Sequence, residues 1–243
     1  SLIVALYLLF TYKKNFFKKF YDSGFPGFIA GASLSVGFAA YVFAMYTTTV
    51  ANTNFIITTE TIFLAFIGYF FLKEKINLIT LISIILGMSG VLLILGSSLS
   101  IQSSEQFIGN LVAFIMPLSF AVLVLIIRKY PNVDMVPAQF TAGIFAAIIG
   151  FVIAGNLSIS FHDLMLALLA GFFQIGFGFI LITVGSQTTP AAVVGVLMLT
   201  ESVFGPFWAW LFISEVPPIS VIFGGGIIIF SILLQSFYEK KSL

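Results

Sequence analysis

The chain has 243 residues, 60% of them hydrophobic and only 8% charged, with a mean hydropathy of +1.17; an ordinary soluble domain carries roughly 25% charged residues. A formal net charge of +1 gives no footing for nucleic acid, and a chain with no cysteine and one histidine, His162, offers no disulfide, no thiolate nucleophile and no set of soft ligands for a metal. These numbers describe an integral membrane protein in which nearly every residue is spent on crossing the bilayer.

Cutting at the polar breaks predicts nine apolar runs, at about 1–12, 26–46, 53–72, 76–97, 107–127, 135–155, 163–184, 190–213 and 218–237. The runs are too long and too uniformly apolar for barrel strands, so the expected fold class is an all-α integral membrane protein. The links are short, which makes consecutive helices antiparallel neighbours. Because the sequence opens on Ser1 inside an apolar run, a preceding N-terminal part is expected to be missing, and no signal peptide is read there.

All ten lysines and arginines fall on the same side if each run crosses once. Lys13, Lys14, Lys18 and Lys19 follow the first run, Lys73 and Lys75 the third, Arg128 and Lys129 the fifth, and Lys240 and Lys241 the ninth, whereas 98–106, 156–162 and 214–217 hold none. The positive-inside rule assigns the basic side to the cytoplasm, so the expected product is a multi-pass protein of the cell membrane with a cytoplasmic C-terminus.

Glu60 and Glu201 stand 141 residues apart, as do Glu74 and Glu215. At that offset, without a gap, Gly37 and Phe38 match Gly178 and Phe179, Thr47 and Thr48 match Thr188 and Thr189, Ala51 matches Ala192, Thr59 matches Thr200, and Phe63, Phe66 and Phe71 match Phe204, Phe207 and Phe212. The halves are expected at 1–98 and 107–238. Five crossings separate equivalent positions, and five is odd, so the second half must be inverted relative to the first, an architecture shared by many secondary transporters.

The segments 47–75 and 188–216, each ending in a glutamate, resemble the EamA-type permeases of the drug/metabolite transporter superfamily, and the likeness covers essentially the whole chain. It implies two inverted repeats of up to five helices with the first family helix missing here, transport of a small metabolite, and both termini in the cytoplasm. One departure stands out. Many members have proline directly after the position of Glu60 and Glu201, but Thr61 and Ser202 stand there, and Pro206 comes later in the second copy only. Proline therefore gives no support to a helix break in the first half.

Glu60 and Glu201 each lie 14 residues, about 21 Å of helix, from the acid that ends their segment, hence inside the bilayer. An ionised acid there costs about 2.5–3.5 kcal/mol. Either the carboxyls face a cavity and bind a cation, a substrate amine or a proton, or they are protonated and hydrogen-bond a neighbouring helix, worth about 0.6 kcal/mol. Projection at 100° per residue puts Thr53, Ile57, Leu64 and Ile67 on the face of Glu60, and Val194, Met198, Gly205 and Trp208 on that of Glu201; Asn54, Thr58 and Thr61 form a separate polar stripe suited to interhelical bonds or to substrate. Tyr41, Gln174 and Trp208 complete the candidate substrate-binding set with Glu60, Glu201, Asn54 and Thr58, while Trp210 reads as an interfacial anchor. Glu74 and Glu215 are helix-end caps or gate contacts. Gly87, Gly90 and 224–226 are spaced for close helix approach.

The expected function is secondary transport of an amino acid or related amine by alternating access, with proton coupling as a further expectation. The expected partners are the small-molecule substrate and the lipid bilayer, as monomer or homodimer, without cofactor or metal. A non-transporting scaffold or helper subunit is the alternative; a membrane enzyme would need a convergent nucleophile, acid or metal set, and none is visible. The chain has no Walker motif for direct ATP use.

Overall fold

A computed structural model describes residues 2–96, 103–154, 158–214 and 216–242. The elements are α1 (Leu2–Tyr12), α2 (Phe16–Thr47), α3 (Val50–Thr58), α4 (Glu60–Phe71), α5 (Leu78–Leu95), α6 (Ser104–Ala113), α7 (Ile115–Lys129), α8 (Val136–Ile153), α9 (Phe161–Leu169), a π-helical stretch (Ala170–Gly178), α10 (Phe179–Gly185), α11 (Ala191–Met198), α12 (Thr200–Ile213) and α13 (Ile219–Ser242). The described residues are helical or in short connecting links, without a strand.

Joined across their interruptions, these make eight helices long and apolar enough to cross a membrane. They contain the nine expected runs, because the first, Ile3–Thr47, is 45 residues long and holds two of them. At 1.5 Å per residue it would reach about 68 Å, twice the hydrocarbon thickness. It is not one rod. Lys13–Asn15 is a 3-10 turn with Lys13 at φ 46°, and Gly24, at φ 51° and ψ −151°, breaks α2 just before Pro26. Glycine is the residue that takes this conformation without a side-chain clash.

The residues pack into two compact units, one from 1–39 with 122–189, the other from 40–121 with 190–243. Each draws on both sequence halves. In the first unit Val4, Leu8, Val136 and Ile180 form a core flanked by Phe16, Phe20 and Phe140, with Phe20 and Phe140 edge to face at 5.4 Å. The buried Gln139 side chain donates to Thr183 Oγ1 at 2.9 Å, which itself donates to the Phe179 carbonyl at 2.7 Å. Arg128 donates to the carbonyl of Gln187 at 3.0 Å.

In the second unit α5 and α13 form the main crossing. Their glycines bring the backbones together: a Cβ on Gly90 would lie 2.7 Å from the Gly224 carbonyl oxygen, and one on Gly224 would lie 2.6 Å from that of Gly90. Ser231 donates to the Ser83 carbonyl at 2.7 Å, Gly87 faces Ser231, Gly90 faces Ile228, and Gly224 faces Ile94. As the number on α5 rises from 83 to 94, its partner on α13 falls from 231 to 224, so the two helices run antiparallel. They are also repeat equivalents, since Leu78 and Ile219 begin them 141 residues apart. The contacts obey the same offset: the pair 90 with 224 becomes 231 with 83, and 87 with 231 becomes 228 with 90. Equivalent helices pointing in opposite directions and exchanging their contacts are what an inverted repeat requires. Within the first unit, Phe38 and its equivalent Phe179 meet edge to face at 5.3 Å.

Candidate functional site

The site is built on two interrupted helices of the second unit. α3 ends at Thr58 and α4 begins at Glu60; α11 ends at Met198 and α12 begins at Thr200. Thr59 and Leu199 close the two breaks with short i to i−3 bonds, to the carbonyls of Ile56 and Val196. The first break arises without proline. Thr58 and Thr59 turn their hydroxyls back onto the carbonyls of Phe55 and Ile56, at 2.7 and 2.5 Å, a competition with backbone bonding that weakens the helix ladder. In the second, Thr200 bonds the carbonyl of Leu197 at 2.7 Å.

Both breaks place an acid in the first turn of the half-helix that follows, Glu60 in α4 and Glu201 in α12. The free N–H groups of a helix start favour a carboxylate by about 0.3–1 kcal/mol, and by up to about 2 in partly buried settings. This is less than the roughly 2.5–3.5 kcal/mol that an ionised acid costs at membrane depth. A proton, water or a bound cation has to supply the rest.

The two carboxyls line one cavity of about 280 Å³, together with Asn54, Ile57 and Thr58 of α3, Ile94 and Leu95 of α5, and Met198, Leu199, Ser202, Gly205 and Pro206. Glu60 is 4% exposed, and among the described residues its carboxyl makes no hydrogen bond. Glu201 stands more open. Asn54 and Thr58 thus share the cavity with Glu60, although straight projection puts them on another face. Thr61, the residue after Glu60 in α4, faces a different surface, where its buried hydroxyl donates to the Gly195 carbonyl at 2.9 Å. Thr53, Leu64 and Val194, also placed by projection on the acid faces, are buried in packing instead.

The remaining candidates are dispersed. Tyr41 is half-buried in α2, and neither it nor Trp208 is among the residues that line the cavity. Trp208 is 48% exposed, in a row with Phe204 and Phe212 at 6.3 and 5.6 Å. Gln174 belongs to the first unit, exposed on the π-helical stretch. Glu215 lies outside the described residues.

Glu74 has a definite partner. Its Oε2 accepts the backbone N–H of Ala191, the first residue of α11, at 2.8 Å, and its own N–H bonds the Gly68 carbonyl at 2.9 Å. The N-cap of α11 is Pro190, which has no side-chain acceptor, so Glu74 supplies from the first half the cap that the second half lacks. Gly68 makes room, since a Cβ there would sit 3.0 Å from that carboxylate oxygen. A further cavity of about 350 Å³ opens beside this contact, lined in part by Lys75, Asn77, Thr80 and Tyr238. Sequence reasoning missed Ser202, Ile94, Leu95, Leu199 and Pro206 as cavity residues, and it placed Thr61 in a stripe suited to interhelical bonds without its partner Gly195. The missing acceptor at Pro190 was a signal that α11 needed a cap from elsewhere.

Two curated relatives match. One, from Methanothermobacter thermautotrophicus (strain Delta H), is 28% identical over 80% of this chain. The other, from Clostridium kluyveri, is 24% identical over 91%. Both are described as uncharacterized transporters. The chain spans 58% of the length of the first relative and 74% of the second. A solved crystal structure superposes with a TM-score of 0.69 over 99% of this chain and 97% of its own, at 14% identity, a likeness of fold. Residues 1–96 and 107–237 match the EamA-like transporter family, and with two matched segments that take in most of its length, this multi-pass membrane chain belongs to that family.

Proposed function

We propose that the protein is a secondary transporter that carries a small amine, such as an amino acid or related metabolite, across the cell membrane by alternating access. The observation that carries the reading is the shared cavity of Glu60 and Glu201, with two carboxyls from equivalent places in the two halves and one of them almost wholly buried without a hydrogen bond. An ammonium group meets that need by charge, and Asn54 and Thr58 add hydrogen-bonding groups for a second polar end. At about 280 Å³ the cavity is at or below the lower end of the roughly 300–1,000 Å³ of ligand pockets, a fit for a metabolite rather than a bulky drug. The same carboxyls can exchange a proton for the amine, which would couple flux to a pH gradient. On this reading the basic links and the C-terminus face the cytoplasm. Neither catalysis nor a cofactor enters.

The test is uptake and efflux in reconstituted vesicles against a panel of amino acids, monoamines and diamines, with and without a pH gradient. Saturable movement of at least one amine above empty vesicles is the expected result. If no compound moves faster than in empty vesicles, the reading is wrong; flux indifferent to pH between 5 and 8 removes proton coupling alone.

A further inference from the structure

The second unit contains one helix crossing that the sequence encodes twice and this structure makes once. α4 lies along α11: Thr61 donates to the Gly195 carbonyl, Ala65 packs with Ala192 and Val196, and Glu74 caps the helix at Ala191. Moved by 141 residues, the same crossing would lay α12 along α3, with Ser202 in the place of Thr61, Asn54 in that of Gly195, Pro206 in that of Ala65, and Ala51 and Phe55 in those of Ala192 and Val196. No comparable packing joins α12 to α3 among the described residues. Asn54, Ile57 and Thr58 from one helix and Ser202, Gly205 and Pro206 from the other line the cavity instead. By contrast, the α5 to α13 crossing already satisfies the repeat in both directions, as the paired contacts of Gly90 with Gly224 and Ser231 with Ser83 show.

We propose that α12 and α3 close on each other in a second state, with the Ser202 hydroxyl and the Asn54 side-chain amide bonded across the emptied cavity, while the α4 to α11 crossing opens. The proposal rests on reading the cavity as a transport site, since an inverted pair that exchanges one closed crossing for the other exposes that site to the two sides in turn. The two closed crossings cannot be identical. Gly195 lets the backbone of Thr61 approach so closely that an added Cβ would lie 2.8 Å from its Cα, whereas Asn54 has a side chain in that space. The closed α12 to α3 contact is therefore wider by one side chain, and the amide, both donor and acceptor, is the group that spans it. Among the described residues neither Asn54 nor Ser202 makes a side-chain hydrogen bond in the present state, so both are free to form this one. Opening the other crossing requires the Glu74 carboxylate to leave the Ala191 N–H.

The chain has no cysteine, so introduced pairs report only on each other. The full chain in proteoliposomes would carry N54C with S202C, or A51C with P206C, as two probes of the proposed state, and A65C with A192C as a probe of the present one. A disulfide requires Cα atoms within about 4.4–6.8 Å. Oxidation is expected to link all three pairs, and the link of A65C with A192C, neither of which lines the Glu60 cavity, is expected to stop flux of the transported amine until a reductant restores it. Linking of A65C with A192C while both probes of the proposed state stay unlinked would overturn the proposal. Flux of the wild-type chain decides the transport reading separately: a wild type that moves nothing would defeat that reading, while a link between Asn54→Cys and Ser202→Cys would still establish the second packing.

Discussion

Glu60 and Glu201 occupy equivalent places in sequence but different surroundings. Glu60 is 4% exposed and its carboxyl is unbonded among the described residues, whereas Glu201 is open. On the proposed amine-transport reading, a bound ammonium would gain most from Glu60, where little water competes. Glu60→Gln is expected to weaken amine transport at least tenfold, equivalent to about 1.4 kcal/mol, and Glu201→Gln to weaken it less; concentration-dependent uptake in vesicles separates the two. Equal and small losses would point to packing roles for both acids. Nearby, Thr61 and Gly195 test a purely structural contact. Thr61→Val keeps the shape and removes one buried hydrogen bond, a loss of about 0.5–1.5 kcal/mol. Gly195→Ala drives a Cβ to 2.8 Å from Thr61 Cα, which the backbone must relieve at about 1–3 kcal/mol. Thermal unfolding in detergent should rank wild type above Thr61→Val, and Thr61→Val above Gly195→Ala.

At the scale of the element, the interrupted helices explain which parts of the site were legible in the sequence. Two acids inside membrane spans at one offset were visible as such, and so was a cost that something had to offset. The breaks at Thr59 and Leu199 were not, because the first depends on threonine hydroxyls bonding back to their own helix rather than on proline. The projection put Asn54, Thr58 and Thr61 in one stripe apart from Glu60, whereas Asn54 and Thr58 line the cavity with Glu60 and Thr61 bonds Gly195 instead. α11 shows the same dependence on tertiary structure. It has eight residues and a proline N-cap, so its start relies on Glu74 from a distant segment. Removing that acceptor in Glu74→Ala should destabilise the protein by about 0.5–2 kcal/mol, as for loss of an N-cap. Glu74→Gln retains a carbonyl acceptor and loses only the charge that the helix start favours, so its unfolding temperature should lie between those of Glu74→Ala and wild type. If the three were indistinguishable, the contact would contribute nothing to stability.

For the whole molecule, the repeat offset was the most informative number in the sequence. It anticipated the antiparallel α5 and α13 and the exchange of their contacts, because a shared offset fixes equivalent positions whatever the local packing. It did not anticipate the compact units, which take helices from both halves, since packing partners depend on side-chain surfaces that the offset leaves open. Sidedness rests on a separate signal, the placement of all ten lysines and arginines on the same side if each run crosses once. That signal makes a direct prediction in a chain without native cysteine. Glu105→Cys and His162→Cys, both on exposed residues of links free of basic side chains, should react with a membrane-impermeant maleimide in intact cells. Asn15→Cys and Asn132→Cys, exposed on basic links, should react only after the membrane is permeabilised. The intervals between these positions make the result a test of crossing parity as well as orientation, because each neighbouring pair must be separated by an odd number of crossings. Labelling of Asn15→Cys and Glu105→Cys from the same side would require an even number between them, and the inverted arrangement of the halves could then not hold across the bilayer.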